Sequence, residues 1–194
     1  MLLILVCACA LALVACTNGG PVSTEKYATL DAYPAADMSS YDCAADYKGE
    51  YQFVNMTVKE VAAEMEAGST FMVYTGFNKC PWCNVMLNPI NDIALERGIK
   101  IAYIDTRADP SWKSNLDLLD YDLFVELFGS TLKDDDNGIP HLYVPHCFYI
   151  KNGQLVGDNS GTVPSQASPS DPLTDEQLEE YRSIVNGHLD NILR

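Results

Sequence analysis

Two closely spaced cysteines, Cys80 and Cys83, are the residues of this 194-residue chain whose types and spacing most directly suggest chemistry. Such a pair can be a redox-active dithiol, half of a metal site, or two buried thiols. A thiolate forms more readily at a helix N-terminus, where free N–H groups and the helix dipole stabilise negative charge. Only the first cysteine has that position, so we predict Cys80 to be the exposed, low-pKa nucleophile. Cys83, one turn on and facing inward, is predicted to be the buried resolving thiol.

The residues around the pair suit the same chemistry. Lys79 places a positive charge beside the nucleophile. Pro81 fits the first turn of a helix, because its missing N–H has no intrahelical partner there. Trp82 offers a flat apolar surface on which an unfolded substrate chain could land.

The N-terminus predicts export and a lipid anchor. Residues 1–15 contain no charged side chain, and the apolar run is shorter than the roughly 20 residues of a membrane span. It fits the apolar core of a secretory signal. Leu13-Val14-Ala15-Cys16 resembles the lipobox of bacterial lipoproteins, so we predict a signal peptide over 1–15 and lipidation of Cys16. The protein would then be held on the cell membrane, facing outside the cytoplasm. The alternative is that this segment is an uncleaved membrane anchor, or a secretory signal peptide without lipidation.

Export changes the expected state of the other cysteines. Outside the cytoplasm, disulfides can form and persist. Cys147 falls in an apolar run and is either a free buried thiol or bridged to Cys43; the sequence leaves both open. The four cysteines expected in the mature protein beyond the lipidated one are Cys43, Cys80, Cys83 and Cys147.

The chain is strongly acidic, with a formal net charge of −15. Nucleic acid is therefore excluded as an expected partner, because phosphate binding needs a basic surface. Direct adhesion to an anionic bilayer is disfavoured for the same reason, so the lipid must do the anchoring. We expect a monomer whose charge serves solubility.

Composition and pattern divide the chain into three parts. Residues 1–15 are the signal peptide, residues 16–47 are rich in Gly, Pro, Ser and Ala and predict a flexible tether, and residues 48–194 predict one domain. Within it, strand and helix patterns alternate, which implies an α/β fold with parallel neighbours in the sheet. The cysteine pair stands between an apolar strand ending near Tyr74 and a helix.

A long connection follows the third strand, and it carries helical patterns. We predict that its aromatic residues Trp112, Tyr121 and Phe124 are part of the core, with a peptide groove as the alternative. The acidic loop 133–138 is predicted to be a solvated turn rather than a calcium site, since the Glu that a calcium loop needs further along is missing. Asn152-Gly153 between two apolar runs predicts a β-hairpin.

Together these features resemble the thioredoxin superfamily over about residues 50–194. The resemblance rests on the apolar strand leading into Cys80-Pro81-Trp82-Cys83, and on Val144-Pro145 followed by a strand and Lys151-Asn152-Gly153. It implies a thioredoxin fold: a central mixed sheet flanked by helices, with a helical insertion before the strand that follows the proline. It also implies that Val144-Pro145 is cis and lies against the cysteines, whereas Ile139-Pro140 is trans. The stretch from Tyr74 to Cys83, with the long insertion, is most similar to the bacteriocin transport accessory proteins.

Three features depart from the thioredoxin pattern. Tyr74 stands where thioredoxins have a buried Asp, and Lys79 stands where they have Trp. From Asp105 to Pro145 is 40 positions, far longer than the compact thioredoxin crossover. Without the Asp, the second cysteine lacks its usual proton acceptor, so we expect the resolving step to be slow.

The resemblance implies a thiol–disulfide oxidoreductase that needs no cofactor and exchanges disulfides with protein substrates and an unidentified redox partner. Val144, Pro145 and His146 would support the site. His146 is read as an ordinary polar residue, as a stabiliser of the Cys80 thiolate, or as a third metal ligand. A non-catalytic accessory module for peptide or bacteriocin export, or a Cys2His metal chaperone, is the alternative function.

Overall fold

The structure, a computed structural model, describes residues 27–107 and 120–194. Strands and helices alternate along the chain, as the sequence pattern predicts. The strands are β1 (Phe53–Asn55), β2 (Phe71–Gly76), β3 (Ile101–Asp105), β4 (Lys133–Asp134), β5 (Pro140–His141), β6 (His146–Lys151) and β7 (Gln154–Ser160), and the helices are α1 (Val58–Glu66), α2 (Pro81–Arg97), α3 (Tyr121–Phe128) and α4 (Asp175–Leu193).

A mixed five-stranded sheet forms the centre of the domain, with strand order β1-β3-β2-β6-β7. β3 pairs in parallel with both β1 and β2, while β6 runs antiparallel to β2 and β7. The carboxyl ends of β2 and β3 therefore open at one edge of the sheet, next to the start of β6. That edge carries the turn from β2 into α2, so the sheet fixes where the cysteine pair lies.

The core has two layers, one on each face of the sheet. Alternate residues of β2 and β6 point to opposite faces, as a period of two requires. One layer contains Tyr74, Cys147 and Tyr149 with the apolar sides of α2 and α4. The other contains Val73 and Phe148 with the apolar sides of α1 and α3.

Local sequence signals set the element boundaries as predicted. Thr57 begins α1 with a capping box in which its hydroxyl accepts from the Glu60 N–H and the Glu60 carboxylate accepts from the Thr57 N–H. Thr174 and Gln177 do the same for α4. Asn152 and Gly153 both have positive φ, of 51° and 75°, as a two-residue hairpin turn of type I′ requires.

Residues 27–47 pack on the domain, which corrects the predicted tether over residues 16–47. The segment runs beside β1: the Ala36 N–H donates to the Phe53 carbonyl at 2.9 Å, and the Asn55 N–H donates to the Pro34 carbonyl at 2.8 Å. Three of its apolar side chains, Leu30, Met38 and Tyr41, are at most 4% exposed. These residues are spaced too irregularly to give a helix or strand pattern, so the sequence did not reveal that they cover the edge of the sheet.

The insertion contributes to the core as expected. Tyr121 and Phe124 are buried, and Phe124 packs edge-on against Phe148 of β6, with ring centroids 5.8 Å apart. The acidic loop is the tip of the β4–β5 hairpin, where the Asp135 carboxylate accepts from the N–H groups of Asn137 and Ile139.

Some predictions fall on residues outside the described ranges. These are the signal peptide, the lipidated Cys16, the first part of the tether and Trp112. Within residues 27–107 and 120–194, no helix combines the length and the apolar character needed to cross a membrane.

Candidate active site

The first turn of α2 brings Cys80 and Cys83 together. β2 ends at Gly76, a short turn follows, and Cys80 takes the N-cap position with extended backbone (φ −77°, ψ 117°). Its sulfur accepts a hydrogen bond from the Cys83 N–H at 3.2 Å. A Ser, Thr or Asp side chain commonly makes this bond, so here the nucleophilic sulfur itself caps the helix. Both cysteines are free thiols in this structure.

The environment of Cys80 favours its thiolate. The hydrogen bond from the Cys83 thiol is the largest effect, and with the backbone N–H groups of Cys83 and Trp82 it lowers the pKa of Cys80 to about 7 in spite of partial burial. The Arg107 guanidinium lowers that pKa further. The predicted exposure of Cys80 is wrong, because the residue is only 5% exposed.

Cys83 has the opposite environment. It is fully buried, and burial raises its pKa well above the ordinary range, with Cys80 raising it further. The Phe77 N–H and the Tyr74 side chain act in the other direction and lower it. Above about pH 7 the pair therefore holds a single proton, which stays on Cys83, while Cys80 carries the charge.

Pro145 lies beside the pair, and the Val144-Pro145 bond is cis, as predicted. Ile139-Pro140 is not among the cis bonds of the described ranges, also as predicted. The Val144 carbonyl accepts a hydrogen bond from the Cys80 thiol at 3.6 Å. The turn before β6 thus presents a backbone carbonyl next to the Cys80 sulfur.

The positive charge near Cys80 comes from Arg107 and not from Lys79. Lys79 is exposed, and its ammonium pairs with the Asp42 carboxylate at 3.7 Å. The Arg107 guanidinium lies 4.0 Å from the centre of the Phe77 ring, over the turn that leads to the cysteines. Sequence reasoning missed this residue. The available signal was its position two residues after β3, a parallel strand next to β2.

Asn84 is a second residue that the sequence analysis missed. Its amide nitrogen donates to the Asn78 and Cys80 carbonyls at 2.8 and 3.1 Å, and its oxygen accepts from the Cys43 N–H at 3.1 Å. One side chain therefore ties the turn before the pair to α2 and to the N-terminal segment.

His146 follows Pro145 but faces away from the sulfurs. It stacks on Phe148, with ring centroids 4.2 Å apart, on the face of the sheet opposite α2. Its Nε2 lies 2.8 Å from the Asp158 carboxylate, and burial lowers its pKa while Asp158 raises it. This arrangement corrects the readings in which His146 stabilises the Cys80 thiolate or completes a metal site with the cysteines. Within the described ranges, no three Cys, His, Asp or Glu side chains converge as metal ligands.

The surface around Cys80 is partly apolar. Pro81 is exposed and Trp82 half-buried, and Tyr143, which precedes Val144, is 52% exposed. A groove of about 630 Å³ runs beside the first turns of α2, lined by Pro81, Val85 and the segment 169–173.

The other two cysteines, Cys43 and Cys147, form no disulfide with the pair or with each other. Cys43 is half-buried in the short 3-10 turn that contacts α2, and Cys147 is buried in β6. Both are free thiols, and burial raises the pKa of each, to about 11 for Cys43 and about 12 for Cys147. The proposed bridge between them is not formed in this structure.

Comparison with known proteins adds structural neighbours. No family model and no curated protein matches the chain. Mitochondrial thioredoxin 3 from Saccharomyces cerevisiae is 14% identical, with 70% of this chain and 92% of that one covered and a TM-score of 0.41. A thioredoxin from Trypanosoma brucei brucei is 16% identical, with coverages of 72% and 97% and a TM-score of 0.40. At these sequence identities and TM-scores, the neighbours support no argument about the role of this chain. The fold is identified from this chain's own architecture. It has a mixed five-stranded sheet with helices on both faces and a cysteine pair at the start of α2, and these features show that this chain has the thioredoxin fold.

Proposed function

We propose that the protein is a thiol–disulfide oxidoreductase that exchanges disulfides with protein substrates through Cys80 and Cys83. The observation that carries the proposal is the division of charge within the pair: Cys80 at the helix N-terminus with a pKa of about 7, and a buried, protonated Cys83 one turn away. A nucleophile whose pKa lies near the ambient pH combines a large thiolate fraction with good intrinsic reactivity. Two cysteines with a purely structural role would not require one thiol of low pKa beside one of high pKa.

In the reducing direction, the Cys80 thiolate attacks one sulfur of a substrate disulfide. The substrate S–S bond breaks, a Cys80–substrate disulfide forms, and the released substrate thiolate takes up a proton. Cys83 then loses its proton and attacks the Cys80 sulfur, so that the Cys80–Cys83 disulfide forms and the second substrate thiolate leaves as a thiol. Two electrons pass from the pair to the substrate. The same steps in reverse oxidise a dithiol substrate, and the reduction potential of the pair decides the direction.

The substrate is proposed to bind as an extended segment across Trp82 and the turn at Val144. Trp82 and Tyr143 supply apolar surface, and the backbone before Pro145 supplies hydrogen-bonding groups close to the sulfur. Pro81 occupies the first position of α2, where it was predicted to be. Lys79 and Pro81 line the neighbouring groove, and His146 supports the turn from the opposite face.

Trapping with single-cysteine variants tests this function. A disulfide-linked reporter peptide should form a stable covalent adduct with Cys83→Ser, because nothing resolves the mixed disulfide, and should not react with Cys80→Ser. Cys43→Ser is the matched control, since it removes a free thiol outside the pair and should exchange like the wild type. Full cellular function of Cys80→Ser would instead favour a non-catalytic accessory module. Adduct formation by Cys80→Ser would mean that the two roles are reversed.

We further propose that the protein is lipid-anchored through Cys16 outside the cytoplasm, on the strength of the Leu13-Val14-Ala15-Cys16 stretch. Cys16→Ser should release the protein from membranes or block its processing, whereas Cys9→Ser, within the predicted signal peptide, should behave like the wild type. Unchanged fractionation and migration of Cys16→Ser would overturn the anchor.

A further inference from the structure

Tyr74 of β2 buries a phenol hydroxyl beside the resolving cysteine. The residue is fully buried, and its hydroxyl makes no hydrogen bond of ordinary geometry in the dithiol state. Burying a hydroxyl without a partner costs free energy. A buried polar group without a partner calls for an explanation, and a catalytic role is one of them.

Gly76 has no side chain, and this leaves room for the Tyr74 phenol and the Cys83 sulfur to lie close together. A Cβ on Gly76 would lie 2.9 Å from Cε1 and 3.3 Å from Cζ of Tyr74, and 3.1 Å from the Cys83 sulfur. The hydroxyl-bearing edge of the ring and the sulfur therefore share the space that a side chain at position 76 would fill. Glycine at the end of β2 is what permits this approach.

We propose that Tyr74 is a catalytic residue of the resolving step, in which its hydroxyl donates a hydrogen bond to the Cys83 sulfur as that sulfur becomes a thiolate. The inference rests on the proposed function. It gives Cys83 a second donor beside the Phe77 N–H, in a chain where Tyr74 stands at the position that thioredoxins give to a carboxylate.

The phenol acts as a donor and not as a base. Burial raises the pKa of Tyr74 well above its ordinary value, with Cys83 and neighbouring phenols adding to the effect, so the hydroxyl keeps its proton at working pH. The Cys83 proton instead leaves for the departing substrate thiolate. One S–S bond forms between Cys83 and Cys80, one breaks between Cys80 and the substrate, and no net proton is consumed.

Other ionisable groups lie near Tyr74 and Cys83 and can affect the pH dependence of the resolving step. Tyr103 of β3 donates to the Gly76 carbonyl at 3.4 Å, and its hydroxyl is 3.0 Å from that of Tyr41 in the N-terminal segment. The half-buried Asp105 carboxyl lies beyond these two phenols, and burial raises its pKa. The remaining groups near Tyr74 are Cys80, Cys147 and Tyr181.

Stopped-flow reaction with a chromogenic aromatic disulfide separates the two steps. Cys80 attack releases one coloured thiolate in a phase that depends on reagent concentration, and attack by Cys83 releases a second in a phase that does not. In Tyr74→Phe the first phase should match the wild type, while the second should be slower by about tenfold to one hundredfold, the usual effect of losing a hydrogen bond to a charged group. The pH midpoint of that second phase should also move upward.

Tyr33→Phe is the matched control, because it removes a phenol hydroxyl on the opposite face of the sheet, where that hydroxyl donates to the Glu64 carboxylate at 2.8 Å, and it should leave both phases unchanged. A second phase in Tyr74→Phe with the wild-type rate and pH profile would overturn the role of Tyr74. A loss in Asp105→Asn with none in Tyr74→Phe would assign the assistance to that carboxyl and equally overturn it. If the wild type itself releases a single coloured thiolate, the proposed function fails together with this inference.

Discussion

Replacing Tyr41 tests whether the N-terminal segment is part of the folded domain. Its ring is 2% exposed in the core beneath α2, and its hydroxyl lies 3.0 Å from the Tyr103 hydroxyl. Tyr41→Phe removes that hydrogen bond and should lower the free energy of unfolding by about 1 kcal/mol. Tyr41→Ala also leaves a cavity of ring size, and aromatic-to-alanine changes in cores cost about 3–5 kcal/mol.

Urea unfolding of the full chain measures both values, with the change read from the midpoint at constant slope. The control is Tyr143→Ala, since Tyr143 is 52% exposed and exposed substitutions stay within about 0.5 kcal/mol of the wild type. If Tyr41→Ala costs no more than Tyr143→Ala, residues 27–47 do not unfold with the domain. The packing of the segment against β1 and α2 would then contribute nothing to the free energy of unfolding.

Three further results are expected. In the reduced protein, Cys80 has a pKa of about 7 against an ordinary 9.0, so from pH 7 to 9 the unfolded chain holds a proton that the folded protein has lost. Stability should therefore rise over this window by up to about 2–3 kcal/mol relative to Cys80→Ser, and fall away as the pH drops through 7; parallel curves for the two proteins would contradict it. Arg107→Gln should raise the pKa of Cys80 and slow its alkylation at pH 7 by less than about fivefold, because the charge is exposed to solvent; an unchanged alkylation profile would remove Arg107 from the site. Gly153→Ala should lower the melting temperature more than Gly161→Ala. The two glycines have similar φ angles of 75° and 72°, but a Cβ at 153 would lie 2.0 Å from the Met65 carbonyl oxygen and one at 161 would meet no atom within 4 Å. Equal losses would contradict an effect of that close contact.

The parts of the fold that local sequence signals determine were predictable. The capping boxes at Thr57 and Thr174, the Asn152-Gly153 turn and the cysteine pair at a helix start each depend on residues a few positions apart. The cis bond at Pro145 was predicted from the resemblance and is confirmed. The orientation of His146 also follows from a local rule. Neighbouring residues of a strand point to opposite faces of the sheet, so a Cys147 that faces α2 requires a His146 that faces away from it.

The parts that depend on tertiary packing were not predictable. The Arg107 guanidinium comes near Cys80 only because β3 lies beside β2. No local pattern joins these two residues, and only the expected pairing of the two strands indicated that they are close. Tyr41 lies in a segment rich in Ala and Asp, and its burial depends on the edge of the sheet at β1 that the segment covers. Lys79 illustrates the converse: adjacency in sequence placed its charge near Cys80, but the side chain extends to Asp42 instead.

The pH dependence of alkylation, followed separately for each cysteine by mass spectrometry, tests the central claim most directly. Cys80 of the reduced protein should react first, with a midpoint near pH 7, and Cys83 should stay unmodified until the protein unfolds, because it is fully buried. Modification of Cys83 ahead of Cys80, or a Cys80 midpoint at the ordinary value of 9.0, would contradict the assignment of the nucleophile and with it the proposed exchange chemistry.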